Sequence, residues 1–345
     1  MICNRCVLDT VEVPDIYFDY EGICNYCRKF EKDEFDRTVE KNNLQWVYHN
    51  LRKRKGKYQC LLGLSGGVDS SMCLRYLIEN GIKPLTYSID NGWNTEASDE
   101  NIMRLVEGMK VPFFRYTIDI DKFKNLQDAF IQSGTKNLEI PTDHILMAST
   151  YEMALKHGIK DIISGGNLAT EGILPKSYGY QARDLKHLKA VYKQFKGEKL
   201  TGLPMISLPK YLYSRFVKGI RITNLLDYYE YDRGEAIKLL EEKYGYTDYG
   251  LKHEESNFTK WFQNFYLPAK FNLDKRKPHF SSLINSGQMK REDALKQLAQ
   301  FPTFDSMGNE EKVLKYTKRD YKEYPNNEKL WDFLSKVYAN LVKRK

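Results

Sequence analysis

The sequence predicts an α/β protein: a doubly wound parallel sheet, with a four-cysteine knuckle before it and a mostly helical region after it. Three observations lead there. Short apolar runs alternate with stretches of helical periodicity between residues 58 and 164, the pattern of strands joined by crossover helices. A glycine-serine turn, Ser65-Gly66-Gly67, separates the first of these runs from its helix. Four cysteines form two C-x2-C pairs near the start of the chain.

The knuckle comes first. Cys3, Cys6, Cys24 and Cys27 are spaced C-x2-C, seventeen residues, C-x2-C, as in a four-thiolate zinc site. An iron–sulfur cluster is the main rival. Four thiolates leave no open position on a tetrahedral ion, so a structural metal is expected. Residues 36–57 read as a helix over 36–51 and a charged connector, RKRKGK.

The sheet domain opens with YQCLLGLSGGVDSSMCLRY, residues 58–76. An apolar strand over 60–64 stops at Ser65-Gly66-Gly67, and Asp69, Ser70 and Ser71 lead into helical spacing. A helix start leaves N–H groups unpaired at the positive end of its dipole, so anions bind there. Gly66 and Gly67 let the backbone approach phosphate oxygens, while Ser65, Ser70 and Ser71 offer hydroxyls. A carboxylate such as Asp69 beside phosphates needs a cation between them. The plain alternative is a capped strand-to-helix turn. Neither a Walker A ending nor G-x-G-x-x-G is present.

Further strands are expected over 84–89, 112–118 and 160–164, with helices over 99–109, 121–132 and 144–157, the last capped by Thr142 or Asp143. Ligands of such sheets bind beyond the carboxyl ends of the strands. That selects the Ser65 loop, the segment from Ser88 through Asp90 to Trp93, and Gly165-Gly166-Asn167 with Glu171. Helices are also expected over 232–244 and 326–344. Charged, histidine and aromatic side chains crowd Lys252, His253, Glu254, Lys275, Arg276 and His279. Either histidine alone reads as a surface residue; together with the basic residues they suit an acidic substrate.

Composition bounds the class. At 345 residues the chain exceeds a single ordinary core, and the boundaries read as 1–35, 36–57, 58–172 and 173–345. Mean hydropathy is −0.60 and no apolar stretch approaches the roughly 20 residues of a membrane span. Polar residues stand where a signal peptide is apolar, so a cytoplasmic chain is expected. The net charge is +8, yet residues 176–221 alone hold eleven Lys or Arg against two acids. Such a field suits a polyanion; the plain alternative is a solvated helix face.

The SGGVDS turn resembles the SGGxDS motif of the PP-loop ATP pyrophosphatases, HUP-like enzymes that split ATP between its α and β phosphates and adenylate a carbonyl oxygen. The Gly165, Asn167 and Glu171 segment is similar to one in NAD synthetases, with one residue more in its spacing. That resemblance implies Mg2+ shared by Asp69 and Glu171. More broadly, LDTVEVPDIYFDYEGICNYC, SGGVDSS, the Asp-Asn-Gly after the second strand and KHEESNFTKWFQNFYLPAKFNLDKRKPHFSSLINSGQM look like the N-acetyl sugar amidotransferases of surface-polysaccharide biosynthesis. The resemblance implies ATP-dependent conversion of an acetamido group on an acidic or nucleotide-linked sugar to acetamidino. It implies Ser65, Asp69 and Ser70 in catalysis, and Ser65, Gly66, Gly67, Asp69, Ser70, Ser71, Ser88, Asp90, Gly165, Gly166 and Asn167 around ATP. It further implies ammonia from glutaminase and cyclase-like partners. Val68 stands where many of these enzymes have lysine, which leaves Lys176, Arg183, Lys252 or Arg276 to meet the phosphates. The competing class is a tRNA thiolase or lysidine-type ligase. Thiolases of that sort use extra active-site cysteines, and only Cys60 and Cys73 remain, both at apolar positions. A non-catalytic zinc adaptor needs no such loop.

Overall fold

The computed structural model describes residues 1–41, 43–250, 252 and 254–334. Five parallel strands, β1 (Cys60–Gly63), β2 (Pro84–Asp90), β3 (Phe113–Thr117), β4 (Asp161–Ser164) and β5 (Arg221–Asn224), form one sheet in the order β3-β2-β1-β4-β5. Leu61 of β1 pairs with Leu85 on one side and Ile162 on the other. The order reverses between β1 and β4, and that switch point is where a crevice opens at the carboxyl edge.

Helices cover both faces. Before the sheet come α1 (Asn25–Lys41) and α2 (Leu44–Arg52); within it, α3 (Val68–Glu79), α4 (Glu96–Met109), α5 (Ile120–Ser133), α6 (Ile140–Lys156), α7 (Leu168–Glu171), α8 (Leu185–Lys196) and α9 (Leu208–Leu212). After β5 follow α10 (Arg233–Tyr244), α11 (Asn257–Trp261), α12 (Arg276–Asn285), α13 (Arg291–Leu298) and α14 (Glu310–Lys315). Strand side chains alternate in direction, so Leu61 packs with Phe123, Phe130 and Tyr151 of α5 and α6 while Leu62 packs with Leu74, Leu105 and Leu240 of α3, α4 and α10. Cys60 and Cys73 are fully buried in this second layer.

Local chemistry sets the helix ends. Thr95 accepts from Ser98 N at 3.2 Å and Asp119 from Lys122 N at 3.1 Å, and Gly134 ends α5 at φ 65°. α6 starts at Ile140, with Pro141 in its first turn, so the expected Thr142 or Asp143 cap is corrected. α1 starts at Asn25, inside the knuckle, rather than at residue 36. β5 was not expected at all: Arg-Ile-Thr-Asn on an outer edge is mostly exposed and leaves no apolar run. Phe262–Phe271 winds as a π-helix around Pro268. Of the helix expected over 326–344, residues beyond 334 lie outside the described residues.

The knuckle is not a detached appendage. Cys3, Cys6, Leu8, Val13 and Phe30 share a core with Leu61 and Ile162 of the sheet. Arg291 donates to the carbonyls of Cys3 and Cys6, both at 3.0 Å, and Lys277 donates to Asp9 at 2.6 Å and pairs with Glu12. The knuckle therefore packs against α12 and α13.

His187 is fully buried in an aromatic box, with ring centroids of Tyr180 at 5.0 Å, Tyr324 at 5.8 Å and Phe130 at 5.9 Å. Neither ring nitrogen meets a partner among the described residues. Burial pulls its pKa down to about 4. A folded value below the unfolded 6.5 means that the unfolded chain binds the proton first, so stability is lost as pH falls from 6.5 towards 4. The full loss is roughly 3 kcal/mol. His187→Phe is expected to flatten the fall in Tm between pH 7 and pH 5; an unchanged slope refutes this.

Candidate active site

The first loop is a tight turn held by its glycines and serines. Leu64 N donates to Tyr87 O at 2.7 Å, and the chain then turns through Gly66 at φ 79° into the first turn of α3. A Cβ on Gly66 would lie 2.3 Å from the Ser98 carbonyl oxygen, so that position has no room for a side chain, and one on Gly67 would push the Tyr249 hydroxyl 2.8 Å away aside. Ser65 Oγ accepts from Gly67 N at 3.2 Å. Ser70 and Ser71 donate to Gly67 O at 3.1 and 2.8 Å.

The second loop abuts the first. A Cβ on Gly165 would stand 3.0 Å from Ser70 N, so the glycine is what lets β4 deliver its loop against α3. Ser65, Gly67, Asp69, Ser70, Gly165 and Gly166 line a cavity of about 230 Å3, with Glu171 at its side. Gly66 and Ser71 support the loop from behind instead, and Ser71 is fully buried. Asn167 is likewise turned away: its Oδ1 accepts from Thr170 N at 2.9 Å and caps α7.

Lys252 is the centre of the charge arrangement. Its Nζ lies 2.6 Å from Asp69 Oδ2 and 3.1 Å from Glu171 Oε1 and donates to Thr170 Oγ1, while Tyr231 donates its hydroxyl to Asp69 Oδ1. Burial alone lowers the ammonium's pKa, but Asp69 and Glu171 override it and hold it above the ordinary lysine value. Two carboxylates from different loops thus converge on one cation position. A divalent ion fits the same pair, since hard cations take carboxylate oxygen.

Of the four cations offered for the position left by Val68, Lys252 alone reaches the loop. Arg276 is bound to Asp274 at 2.7 Å and to the carbonyls of Gln297 and Gln300. Arg183 stacks over Trp331 at 5.2 Å, and Lys176 lines a larger cavity. Four of the eleven basic residues of the 176–221 run lie on α8, where Lys186, Lys189 and Lys193 are exposed. Arg233, Tyr249 and Glu255 also line the loop cavity and were not singled out beforehand. Arg233 read as an ordinary helix start after Asp232, and nothing local marked it otherwise.

A strap lays these residues over the loop. Thr247 N donates to Asn101 Oδ1 at 2.8 Å, Thr95 N to Glu255 O at 3.0 Å, and Asn257 N to Trp93 O at 2.9 Å. Two cavities lie on either side. The larger, about 830 Å3, runs from Ser65, Ser88 and Asn91 to Tyr178 and Trp331. Asp90 closes the turn there by accepting from Gly92 N at 3.0 Å and is absent from the lining. The smaller, about 230 Å3, brings together Lys252, Glu254, Lys275, Arg276 and His279. His253 lies outside the described residues.

The four knuckle cysteines are fully buried with their Sγ atoms within 4.8 Å of one another, Cys6 and Cys24 at 3.7 Å. A single tetrahedral ion with metal–sulfur bonds of about 2.3 Å needs sulfurs roughly 3.8 Å apart, so the set fits one ion, zinc above all, better than a cluster. Backbone N–H groups of Arg5, Cys6 and Cys24 approach Cys3 Sγ at 3.3 to 3.5 Å, and Asn285 Nδ2 of α12 reaches Cys27 Sγ at 3.2 Å. Such contacts orient and stabilise thiolates. Zinc would supply cohesion here and no open coordination position.

The parallel sheet, the SGGVDS turn after β1 and the glycine-rich loop after β4 define a doubly wound α/β fold with two strand-end loops meeting at its carboxyl edge. Within it, residues 255–338 match the family model for the C-terminal domain of WbpG-like LPS biosynthesis proteins. An uncharacterized protein of Methanocaldococcus jannaschii is 25% identical over 172 residues, which are 49% of this chain and 60% of that relative. Among solved structures, the U34-tRNA thiolase of Methanococcus maripaludis with its [4Fe-4S] cluster is 14% identical with TM-score 0.38, covering 92% of this chain and 97% of its own. NMN synthetase from Francisella tularensis is 16% identical with TM-score 0.31, covering 66% and 97%. The NH3-dependent NAD synthetase of Campylobacter jejuni is 17% identical with TM-score 0.30, covering 65% and 99%. No helix among the described residues is long and apolar enough to cross a membrane.

Proposed function

We propose that this chain is an ATP-dependent, AMP-forming amidotransferase that converts an acetamido group on an acidic or nucleotide-linked sugar into an acetamidino group during surface-polysaccharide synthesis. The observation that carries this reading is the convergence of Asp69, Glu171 and Lys252 at the Ser65 loop, beside a basic cavity lined mostly by residues of the segment that matches the WbpG-like domain.

An amide oxygen is a very poor leaving group and must be converted to a phosphate ester first. ATP accomplishes this when the amide oxygen attacks the α phosphate and pyrophosphate departs. Ser65, the first turn of α3, Lys252 and Arg233 stabilise the departing charge. Asp69 and Glu171 would hold Mg2+, whose charge would neutralise phosphate oxygens, and Lys252 would then be left to the polyphosphate. Adenosine occupies the larger cavity by Ser88, and the sugar occupies the smaller one by Lys252, Lys275 and His279. Ammonia from glutaminase and cyclase-like subunits then adds at the activated carbon, and AMP leaves.

No enzyme nucleophile is needed. Cys60 and Cys73 are buried in the core, where desolvation pushes both thiols well above the ordinary range, and no cysteine lines these cavities. That weighs against sulfur transfer to tRNA. ATP–pyrophosphate exchange with a panel of acetamido sugar nucleotides and acidic acetamido sugars, set against bulk tRNA, tests the proposal. Stimulation by tRNA alone, or ADP as product, overturns it.

Glu171→Gln leaves Asp69 to hold the metal unaided. The Mg2+ concentration for half-maximal exchange is expected to rise tenfold or more, within the roughly 10- to 100-fold range for loss of a supporting carboxylate. An unchanged requirement removes Glu171 from the metal site.

A further inference from the structure

Among the described residues, Lys275 is the one titratable side chain that lines both the larger and the smaller cavity, the other shared residue being Gln263. It makes no hydrogen bond or ion pair with any described residue; its Nζ lies over the Tyr178 ring at 5.5 Å. Most other basic groups of the smaller cavity are committed: Lys252 to Asp69, Arg276 to Asp274, Lys260 to Asp305 at 3.0 Å, and Arg233 to Gly250 O at 3.1 Å. An amine left without a partner where two ligand cavities join faces what those cavities hold.

We infer that Lys275 is a further catalytic residue of the proposed reaction: as a free amine it takes the proton released when ammonia adds to the O-adenylated carbon. This rests on the proposed function. Ammonia adds its lone pair to the protonated imidate carbon, forming a C–N bond and an NH3+ group on a tetrahedral carbon. The Lys275 amine accepts one proton from that group. The C–O bond to AMP then breaks, its electron pair leaving with the phosphate oxygen, and the carbon is left as an amidinium. The ammonium of Lys275 returns its proton to departing AMP or to solvent. Without that transfer the adduct expels ammonia, because neutral ammonia leaves faster than AMP.

The surroundings suit an amine that exchanges protons near neutrality. Burial lowers Lys275 to a pKa of about 8, against the opposing pull of Asp143, Glu171 and Glu139. The groups sharing its cavities are Glu139 at the cap of α6, Asp143 of α6, Lys176 and Tyr178 before α8, and Lys252, Glu254, Glu255 and Lys260 from the strap and α11. Arg233 of α10, Arg276 and His279 of α12, Tyr87 of β2, Tyr180 and, at the far end, Tyr321, Glu328 and Asp332 complete them among the described residues. Roughly a tenth of Lys275 is then free amine at pH 7.

Two measurements decide the matter. Competitive acetylation of the whole protein across pH 6 to 11, read on the Lys275 peptide by mass spectrometry, is expected to titrate near 8; titration at the ordinary lysine value overturns the role. Lys275→Ala is expected to lower amidine formation from ammonium chloride by about 10²- to 10⁴-fold, and far more than it lowers ATP–pyrophosphate exchange. Lys275→Arg keeps the cation but cannot release a proton at this pH, so it behaves as the alanine variant does. Recovery by arginine, or equal losses of exchange and amidine formation, marks a charge that merely binds substrate and overturns the role. Absence of exchange in the parent protein overturns the functional reading and this role with it, whereas intact amidine formation in both variants overturns this role alone.

Discussion

Asp69→Ala is expected to lower ATP-dependent formation of AMP and pyrophosphate by about 10²- to 10³-fold or more, the size of loss that follows removal of one charge-stabilising group from a transition state. The carboxylate is the point where the Tyr231 hydroxyl, the Lys252 ammonium and, in the proposed reaction, the metal meet. Ser65→Ala is expected to act in the same direction. If both variants make AMP and pyrophosphate at the parent rate, no triphosphate is cleaved at this loop and the functional reading falls. Stability responds differently. Removing Asp69 leaves Lys252 with Glu171, whereas removing Lys252 leaves two facing carboxylates in a half-buried cavity. Asp69→Asn combined with Lys252→Met should therefore unfold at a higher temperature than additivity of the single variants implies, because each partner is costly mainly when left alone. Strict additivity in Tm shows that the pair is uncoupled.

Metal removal is the second large effect. A structural zinc contributes of order 10–16 kcal/mol to an isolated finger. Here the knuckle is also bound to the C-terminal helices through Asn285 to Cys27, Arg291 to Cys3 and Cys6, and Lys277 to Asp9 and Glu12. α12 also lines the smaller cavity through His279 and Phe280, and Phe280 shares a buried cluster with Val7 of the knuckle. Stripping the ion, or Cys24→Ser, is expected to lower Tm by more than 10 °C and to raise hydrogen exchange across residues 276–298 as well as the knuckle. Strands β1 and β2 should stay protected. Exchange confined to the first 30 residues shows instead that the knuckle is a separate unit. Metal content of the purified chain, expected at one zinc and no iron, checks the ion directly.

These outcomes depend on contacts that differ in how far they could be foreseen. Short-range features were legible, since each is a rule about neighbours in the chain. The strands from Cys60 to Ser164, the glycine turn at Ser65 and the C-x2-C pairs all belong to this class, and the parallel sheet and the thiol cluster stand as expected. The caps at Thr142 or Asp143 failed because Pro141 allows a helix to start earlier, with its missing N–H costing nothing in the first turn. β5 escaped notice because an edge strand need bury only one side of its backbone and can be polar throughout.

The amino-acid order by itself determined the architecture, the anion-ready turn and a closed tetrad of thiols, because periodicity and backbone sterics act over a few residues. Only the tertiary structure decided which of the candidate cations reaches the Ser65 loop, that Arg276 is spent on Asp274, and that Lys275 is left facing two cavities. Lys252 lies 183 residues from Asp69 along the chain, and what joins them is the strap held by Asn101 and Trp93. Charge pairing across such a distance depends on packing, and packing leaves no local mark in the sequence.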